Sequence, residues 1–470
     1  MSRLSTLRIA VGLVLIALGL SALVLFDSWM RLLGGLSPDG HVLSASWLAL
    51  RTMIVALAIP GIALVGYRSF LRILSRVDLC LQSVSARTFL TAVIGAGALL
   101  RLIAVLAIPI NLHMDFAAYD DRAWTWAVEG EYSNGIYPTA FWPPGWPFFL
   151  SRLYLVFGRV PEAGTFANVL FGAGIVWLTY LLIRAAWGES KARWAAVIVA
   201  VLPSQVLFTN VLCSEPLFTF LFLLAIVIVV HPAGVRAPVW RIAIAGIILG
   251  LATLTRSLSL LYPLLMIPLF MSEDGSRPAR ATRWLLLVVV SVGVVVPWCI
   301  RNYNELGRFT ISTANGHNLY IGNNPMSRMT YHDPDPAMMN VWDPAQEARN
   351  DRIGYGLAFD HIVKHPVDFL GRGVLKTAYL LGSDTEALRY EITRAAGDGR
   401  TDQYVVLAVL MQGVWFVFIL LAGRGALFFL TSGRPRNGPA VMISLTILYW
   451  VAIHFVFFGN GRYHFPIVPM

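Results

Sequence analysis

The sequence predicts an all-α, polytopic membrane protein, and three observations support this prediction. Of the 470 residues, 57% are hydrophobic and 13% are charged, and the mean hydropathy is +0.67. Soluble domains carry roughly 25% charged residues, so a soluble chain of this length could not bury so much apolar surface. Several apolar runs reach the ~18 residues that a helix needs to cross a bilayer. Because backbone polar groups in lipid must be satisfied within the segment, these runs are predicted to be helices.

Eleven apolar runs are predicted to span the membrane. A further span follows the first run, so that run is not predicted to be a cleavable signal peptide. The two runs at 241–256 and 258–271 are short and are predicted to be tilted or broken. Allowing for uncertain boundaries, the sequence predicts about 11 to 13 transmembrane helices. The runs are 8–26, 46–66, 89–110, 164–184, 194–212, 215–231, 241–256, 258–271, 284–300, 404–430 and 440–458.

The distribution of basic residues predicts the orientation. Lysines and arginines concentrate in alternate short loops, and such loops face the cytoplasm. This places the N-terminus in the cytoplasm and two long segments, 111–163 and 301–403, on the outer face. Within them, 142–158 and 362–382 are predicted to be interfacial or partly buried helices. The basic loops carry Arg3, Arg8, Arg68, Arg72, Arg76, Arg87, Arg184, Lys191, Arg193, Arg236, Arg241, Arg277, Arg280, Arg283, Arg434 and Arg436.

The net charge of +10 does not indicate a nucleic-acid partner, because the basic residues lie in loops beside apolar runs. That position is typical of topology control and contact with lipid headgroups. The three cysteines, Cys80, Cys213 and Cys299, have no CxxC spacing and are predicted to be structural or neutral. His361 and His365 have helical spacing but lack an obvious acidic third ligand, so no metal site is predicted.

The first outer segment carries the main candidate for catalysis. Asp115 follows a predicted span directly, and an acidic residue there is costly unless it is solvated or used. Asp115 and Tyr119 are four residues apart, so they share one face if the segment is helical. A carboxylate at the bilayer surface can take the proton of an attacking hydroxyl. The alternative is that Asp115 caps a short helix, since aspartate favours the N-cap position.

Aromatic residues are dense in the same segment. Their rings could stack on a sugar, or they could form the aromatic belt at the membrane interface, which is favoured for any single ring. The residues are Trp124, Trp126, Tyr132, Tyr137, Phe141, Trp142 and Trp146.

In this outer segment and in several later motifs, the chain resembles the C-type glycosyltransferases, which include protein O-mannosyltransferases and the lipid A aminoarabinose transferase. Their first outer loop usually contains Asp-Glu-x-x-Tyr and then a Pro-Pro pair. Here Phe116 replaces the usual glutamate, which puts in doubt any role that needs two adjacent carboxylates. The matching elements are Asp115-x-x-x-Tyr119, Gly130, the stretch Trp142 to Pro147, Ser214 to Phe218, Thr255-Arg256, Pro297 to Tyr303, Gly307 to Phe309, Asn318 to Pro325, and Arg462 to Pro466.

The resemblance covers about 89–470 and implies the domain organisation. Residues 89–300 would form the glycosyltransferase-like transmembrane core, with 111–163 as its catalytic outer loop. Residues 301–403 would form an outer region with juxtamembrane helices, and 404–470 the C-terminal spans. Residues 1–88 would add two N-terminal helices to which we assign no function.

The resemblance also implies a polyprenyl-phosphate sugar donor, inversion at the anomeric carbon, and Asp115 as the base. The reaction would take place on the periplasmic face of a bacterial inner membrane, on a glycolipid, glycan or protein acceptor. Fixed cations would stabilise the charge that grows on the leaving phosphate, and arginine binds phosphate through two oxygens. The predicted substrate-binding residues are Tyr119, Trp142, Arg256, Arg301, Lys376 and Arg462. No cofactor is predicted, although a divalent cation is not excluded.

Two other functions remain open at this stage. A transporter or flippase for lipid-linked sugars would also need aromatic residues and phosphate-binding arginines, but it would not need Asp115. An O-antigen ligase or polymerase would use a pyrophosphate-linked oligosaccharide and would depend little on a single carboxylate.

Overall fold

The computed structural model describes residues 3–32, 53–230, 237–271, 274–331, 343, 345–392, 401–432 and 437–470. Every regular element in these ranges is a helix, apart from an isolated β-bridge between Ser133 and Pro138. Among the described residues, five helices are long and apolar enough to cross a membrane, or six if one bent pair counts as a span. The predicted all-α, multi-pass membrane fold is confirmed. Several of the other predicted spans are shorter apolar helices, such as Glu215–Val230 and Val239–Thr255.

The chain divides into two compact units. One consists of Met1–Ser85 and Leu381–Pro435, and the other of Ala86–Leu380 and Arg436–Met470. The first boundary lies close to the predicted end of the N-terminal addition at residue 88. The predicted C-terminal segment, 404–470, is divided between the two units.

The first unit contains helices from both of its chain segments. A bend of 81° separates the apolar helix Met53–Val65 from Tyr67–Ser83, so part of the predicted cytoplasmic loop after the second span is helical. In the C-terminal segment, the Trp415 indole donates a hydrogen bond to the carbonyl of Leu381 over 2.7 Å. The helices of this unit are Arg3–Leu32, Ala58–Val65, Tyr67–Ser83, Glu386–Ile392 and Thr401–Thr431.

The second unit contains the family-like helices. Val239–Thr255 packs against both Glu215–Val230 and Arg277–Leu306, and Ala86–Ala107 packs against Pro161–Trp187. Its α-helices are Ala86–Ala107, Asp115–Glu129, Gly145–Phe157, Pro161–Trp187, Glu189–Val201, Pro203–Leu207, Glu215–Val230, Val239–Thr255, Tyr262–Leu265, Ile267–Met271, Arg277–Leu306, Asn315–Gly322, Glu347–Lys364, Pro366–Gly382 and Gly438–Val456. Two 3₁₀ helices, Ser257–Ser259 and Gly461–Ile467, follow the helices that end at Thr255 and Val456.

The prediction of one continuous span over 194–212 is wrong. The helix Glu189–Val201 ends at Leu202, whose extended backbone is the conformation that a following proline favours, and Pro203 then starts a separate five-residue helix. The buried Arg101 guanidinium donates to the carbonyls of Val199 and Ala200 over 2.9 and 3.0 Å. These bonds satisfy carbonyls at the helix end that have no helical partner.

Irregular backbone follows this short helix, from Phe208 to Ser214, the residue before the helix Glu215–Val230. At membrane depth such backbone is tolerated only where protein groups satisfy it. Asn168 donates to the carbonyls of Thr209 and Val211, both over 3.3 Å, and Asn210 donates to the carbonyl of Ile108 over 3.0 Å. These hydrogen bonds hold the irregular segment in place and so fix the position of Glu215, which follows it.

Candidate active site

Asp115 is the first residue of the helix Asp115–Glu129. The long helix before it, Ala86–Ala107, corresponds to the predicted span at 89–110. Met114 occupies the N-cap position with a φ of 49°, and the helix has no side-chain cap hydrogen bond. Asp115 therefore does not act as the N-cap residue. A non-glycine residue at such a φ is strained, and strain of this kind clusters at functional sites. The helix N-terminus also carries partial positive charge, which suits a carboxylate.

Glu215 forms ion pairs with both arginines of the site. Its side chain is fully buried, and it opens the apolar helix Glu215–Val230. The guanidinium of Arg256 donates to Glu215 Oε1 over 2.6 Å. Arg462 also pairs with Glu215, donating through Nε to Oε1 and through Nη2 to Oε2. A buried carboxylate thus holds two arginines that are distant in sequence.

Arg462 connects Glu215 to Asp115. Its Nη1 donates to Asp115 Oδ2 over 3.1 Å, while its side chain is only 7% exposed. The side chain of Asp115 is 36% exposed, so its carboxylate is accessible. We call Asp115, Glu215, Arg256 and Arg462 the acid–arginine cluster. Two carboxylates and two guanidinium groups balance in formal charge, and each comes from a different chain segment.

Local packing places Arg256 next to the first outer loop. Arg256 follows the last residue of Val239–Thr255, and its guanidinium lies 5.3 Å from the centre of the Tyr463 ring. Gly145 lies against Thr255 so closely that a Cβ at position 145 would be 2.5 Å from Thr255 Oγ1. Only glycine fits this approach, so the Pro-Pro-Gly turn and the end of the helix are held together.

Two tyrosines border the cluster: Tyr119 is buried and Tyr463 is half-buried. Burial and the neighbouring Asp115 charge raise the pKa of Tyr119, and burial raises the pKa of Tyr463 to about 12. Both phenols therefore keep their protons at neutral pH. Trp142 packs edge-on against Tyr119, with ring centroids 5.4 Å apart, and its described contacts are with residues outside the cluster itself. On the Trp142 ring, the Arg122 guanidinium lies 4.4 Å from the ring centre.

Arg301 holds the first outer loop. Its guanidinium donates to the carbonyls of Tyr132 and Thr139, both over 2.7 Å. The buried Glu347 accepts hydrogen bonds from the Thr139 hydroxyl at 2.5 Å and from the Ala140 amide at 3.0 Å. These contacts fix the loop that leads to Trp142, and they place Arg301 in a positioning role rather than among the acid–arginine cluster.

Lys376 is fully buried in the helix Pro366–Gly382. Its amine donates to Asn323 Oδ1 over 2.8 Å and to the carbonyl of Val456 over 3.1 Å. Burial, assisted by the nearby Arg372, lowers the pKa of Lys376 to about 8. The structure therefore brings together Asp115, Tyr119, Arg256 and Arg462 of the predicted site residues, with Trp142 behind Tyr119, whereas the described contacts of Lys376 are with other residues.

Sequence reasoning did not identify Glu215 and Glu347 as site residues. Glu215 had a detectable signal, because an ionisable residue at the start of an apolar helix indicates a functional position and a nearby partner. Its partners lie 41 and 247 positions away along the chain, which no local pattern reveals. Within the described parts of the chain, no group of three or more metal-ligating side chains occurs.

Part of the chain is similar to a known protein family. Residues 142–300 match the family described as dolichyl-phosphate-mannose-protein mannosyltransferase. This segment contains the Pro-Pro-Gly turn, Glu215 and Arg256. None of the curated proteins matches the sequence. This match agrees with the predicted resemblance to the C-type glycosyltransferases over the matched segment.

Several solved structures are similar to this chain at low identity. ArnT from Cupriavidus metallidurans, bound to undecaprenyl phosphate, is 15% identical, with 82% of this chain and 78% of that chain covered and a TM-score of 0.41. An Archaeoglobus fulgidus oligosaccharyltransferase tethered with an acceptor peptide is 15% identical, with coverages of 82% and 48% and a TM-score of 0.47. The AglB oligosaccharyltransferase from the same organism, in complex with an inhibitory peptide and a dolichol-phosphate, is 13% identical, with coverages of 82% and 49% and a TM-score of 0.43.

Proposed function

We propose that this chain, which resembles the C-type glycosyltransferases, transfers a sugar from a polyprenyl-phosphate donor to a hydroxyl group of a glycolipid, glycan or protein. The reaction takes place on the periplasmic face of a bacterial inner membrane. One observation carries the proposal: an accessible carboxylate, Asp115, shares a cluster with two arginines suited to a phosphate. The matched family is described by a dolichyl-phosphate sugar donor, which supports the same donor class.

The proposed step is a single displacement. The acceptor hydroxyl oxygen forms a bond to the anomeric carbon as the bond from that carbon to the phosphate oxygen breaks. The hydroxyl proton passes to the Asp115 carboxylate, and the bonding electron pair leaves with the polyprenyl phosphate. Attack from the face opposite the phosphate inverts the anomeric configuration. A positioned carboxylate base contributes roughly 10²–10⁴-fold to such a rate.

Arg256 and Arg462 supply the electrostatic part of the mechanism. Negative charge grows on the phosphate oxygens as the sugar bond breaks, and fixed guanidinium groups stabilise it more in the transition state than in the ground state. Glu215 keeps both arginines in place through charge-assisted hydrogen bonds. Asp115 and Arg462 already touch, so the base and a phosphate-binding group lie at one location.

Transfer of radiolabelled sugar from a polyprenyl-phosphate donor, measured in membrane vesicles that contain the natural acceptors, tests the proposal. Asp115→Asn keeps the shape of the side chain and removes the base, so we expect a loss of about 10²–10⁴-fold in transfer. Asp121→Asn is the matched control, because Asp121 lies on the same helix, is 67% exposed and pairs with Arg159. Transfer by Asp115→Asn at the wild-type rate would remove Asp115 from the mechanism.

The same vesicles separate transfer from transport. A flippase would move the labelled lipid across the membrane in both the wild type and the Asp115→Asn variant, without forming a glycosylated acceptor. Formation of an acceptor product with inverted anomeric configuration, dependent on Asp115, is the result that we expect.

A further inference from the structure

The helix Tyr67–Ser83 has two faces of opposite character. Arg68, Arg72 and Arg76 are spaced four residues apart, so they form one stripe along the helix. All three side chains are exposed. The single acidic residue of the helix, Asp78, accepts a hydrogen bond from Gln82 over 2.7 Å. The stripe therefore carries three positive charges.

The side of the helix opposite the arginines is apolar. On this side Val77 is 38% exposed, Ile73 at its border is 59% exposed, and Phe70, Leu74 and Leu81 are half-buried. A helix with a strongly basic face and a partly exposed apolar face is typical of segments that lie in the plane of a membrane interface.

The position of the helix within its unit supports the same orientation. It leaves the apolar helix Met53–Val65 at an angle of 81°, so it runs nearly perpendicular to a segment that is apolar enough to form part of a span. At the bend, the Arg8 guanidinium lies 4.4 Å from the centre of the Tyr67 ring, and Arg424 donates to the Tyr67 hydroxyl over 2.5 Å. Basic residues near the ends of two other apolar helices thus meet Tyr67.

We propose that Tyr67–Ser83 is an interfacial helix that binds the headgroups of anionic phospholipids. Its apolar face enters the acyl boundary, and Arg68, Arg72 and Arg76 contact lipid phosphates. Charge complementarity selects an anionic lipid surface, since each arginine near such a surface contributes to the attraction. The predicted cytoplasmic location of these arginines agrees with this partner. The proposal concerns the N-terminal unit and does not depend on the proposed sugar transfer.

Lipid selectivity tests the charge contribution. The full chain is reconstituted in phosphatidylcholine nanodiscs that contain phosphatidylglycerol, and the association of spin-labelled forms of the two lipids is compared. For Arg68→Gln/Arg72→Gln/Arg76→Gln we expect the preference for phosphatidylglycerol to fall by about threefold or more. An unchanged preference would overturn the proposal. The control removes three exposed cations from the helix Glu347–Lys364, as Arg349→Gln/Arg352→Gln/Lys364→Gln, and keeps the wild-type preference.

The depth of each face tests the orientation independently of charge. Nitroxide labels are placed at Ile73→Cys and at Ser75→Cys in a Cys80→Ser background, since Cys80 is an exposed free cysteine. We expect the label at position 73 to collide with oxygen dissolved in the lipid, and the label at position 75 to collide with a water-soluble nickel complex. Equal access of both labels to the nickel complex would contradict an interfacial helix. Exclusion of position 73 from both reagents would mean that protein covers this face.

Discussion

Replacing Glu215 with glutamine removes one negative charge from a fully buried position. Glu215 is fully buried, and its partners Arg256 and Arg462 are only 15% and 7% exposed. Two guanidinium groups would then face each other with Asp115 as the remaining carboxylate of the cluster. Breaking a buried ion pair by removing one partner costs about 3–5 kcal/mol, because the other charge stays desolvated and unpaired.

This cost is a large part of the stability of a folded protein, which is about 5–15 kcal/mol for soluble domains. We therefore expect Glu215→Gln to unfold at a clearly lower temperature than the wild type in the same detergent. Glu386→Gln is the control, because Glu386 pairs with the exposed Arg389 three residues away. A surface pair of this kind contributes only about 0–1 kcal/mol, so its removal should change the unfolding temperature little.

A double variant separates loss of charge balance from simple misfolding. Glu215→Gln/Arg256→Gln removes one charge of each sign and leaves Arg462 paired with Asp115. We expect it to be less destabilised than the sum of its two single variants, because residues in one ion-pair network are coupled. If the destabilisation of the double variant equalled the sum of the two single variants, or if Glu215→Gln were as stable as the wild type, Glu215 would not hold the two arginines as described.

Two further predictions follow from the residues around the cluster. Arg301→Gln removes hydrogen bonds to the carbonyls of Tyr132 and Thr139, which should loosen the first outer loop. We expect a lower kcat and an unchanged affinity for a polyprenyl phosphate. If Arg301→Gln and Arg256→Gln lost this affinity equally, Arg301 would bind the phosphate rather than position the loop. Burial lowers the pKa of Lys376 to about 8 from 10.5. Between these values the unfolded chain holds a proton that the folded chain lacks, so stability should rise with pH across this window. In Lys376→Met the unfolding temperature should not rise with pH across this window. If the variant and the wild type showed the same dependence of unfolding temperature on pH, Lys376 would not titrate as stated.

The helical membrane fold was predictable because hydropathy acts locally. A run of apolar residues such as Pro161–Trp187 indicates a span without any knowledge of its neighbours. The break at Leu202 was also encoded locally, by Pro203, but the surrounding hydropathy masked it. Helix continuity depends on the backbone conformation that proline imposes, which a hydropathy window does not measure.

The candidate site was predictable only in part. Asp115, Arg256 and Arg462 each had a local signal, namely a charge at the end of an apolar run or a family-like motif. The pairing of both arginines with Glu215, and of Arg462 with Asp115, depends on how four distant segments pack, and no spacing in the sequence records it. The separate role of Arg301 was hidden for the same reason, since its partners are backbone carbonyls 162 and 169 residues away.

The second unit also contains a groove whose lining residues include two arginines. This groove of about 600 Å³ lies between Ala86–Ala107 and Pro161–Trp187, with Arg87 and Arg184 among its lining residues. It lies at the end of Ala86–Ala107 opposite to Asp115. The groove is mostly lined by apolar residues and, among the groups that line it, no carboxylate can serve as a base. We therefore assign the sugar transfer to the acid–arginine cluster.

The central claim is that the carboxylate base and the phosphate-binding arginines form a single site. A cryo-EM structure of the full chain with a bound polyprenyl phosphate tests it most directly. We predict that the phosphate oxygens lie within hydrogen-bonding distance, about 2.7–2.9 Å, of the guanidinium groups of Arg256 and Arg462, with Asp115 beside them. A phosphate bound instead between Arg87 and Arg184, with Asp115 remote from it, would contradict the account.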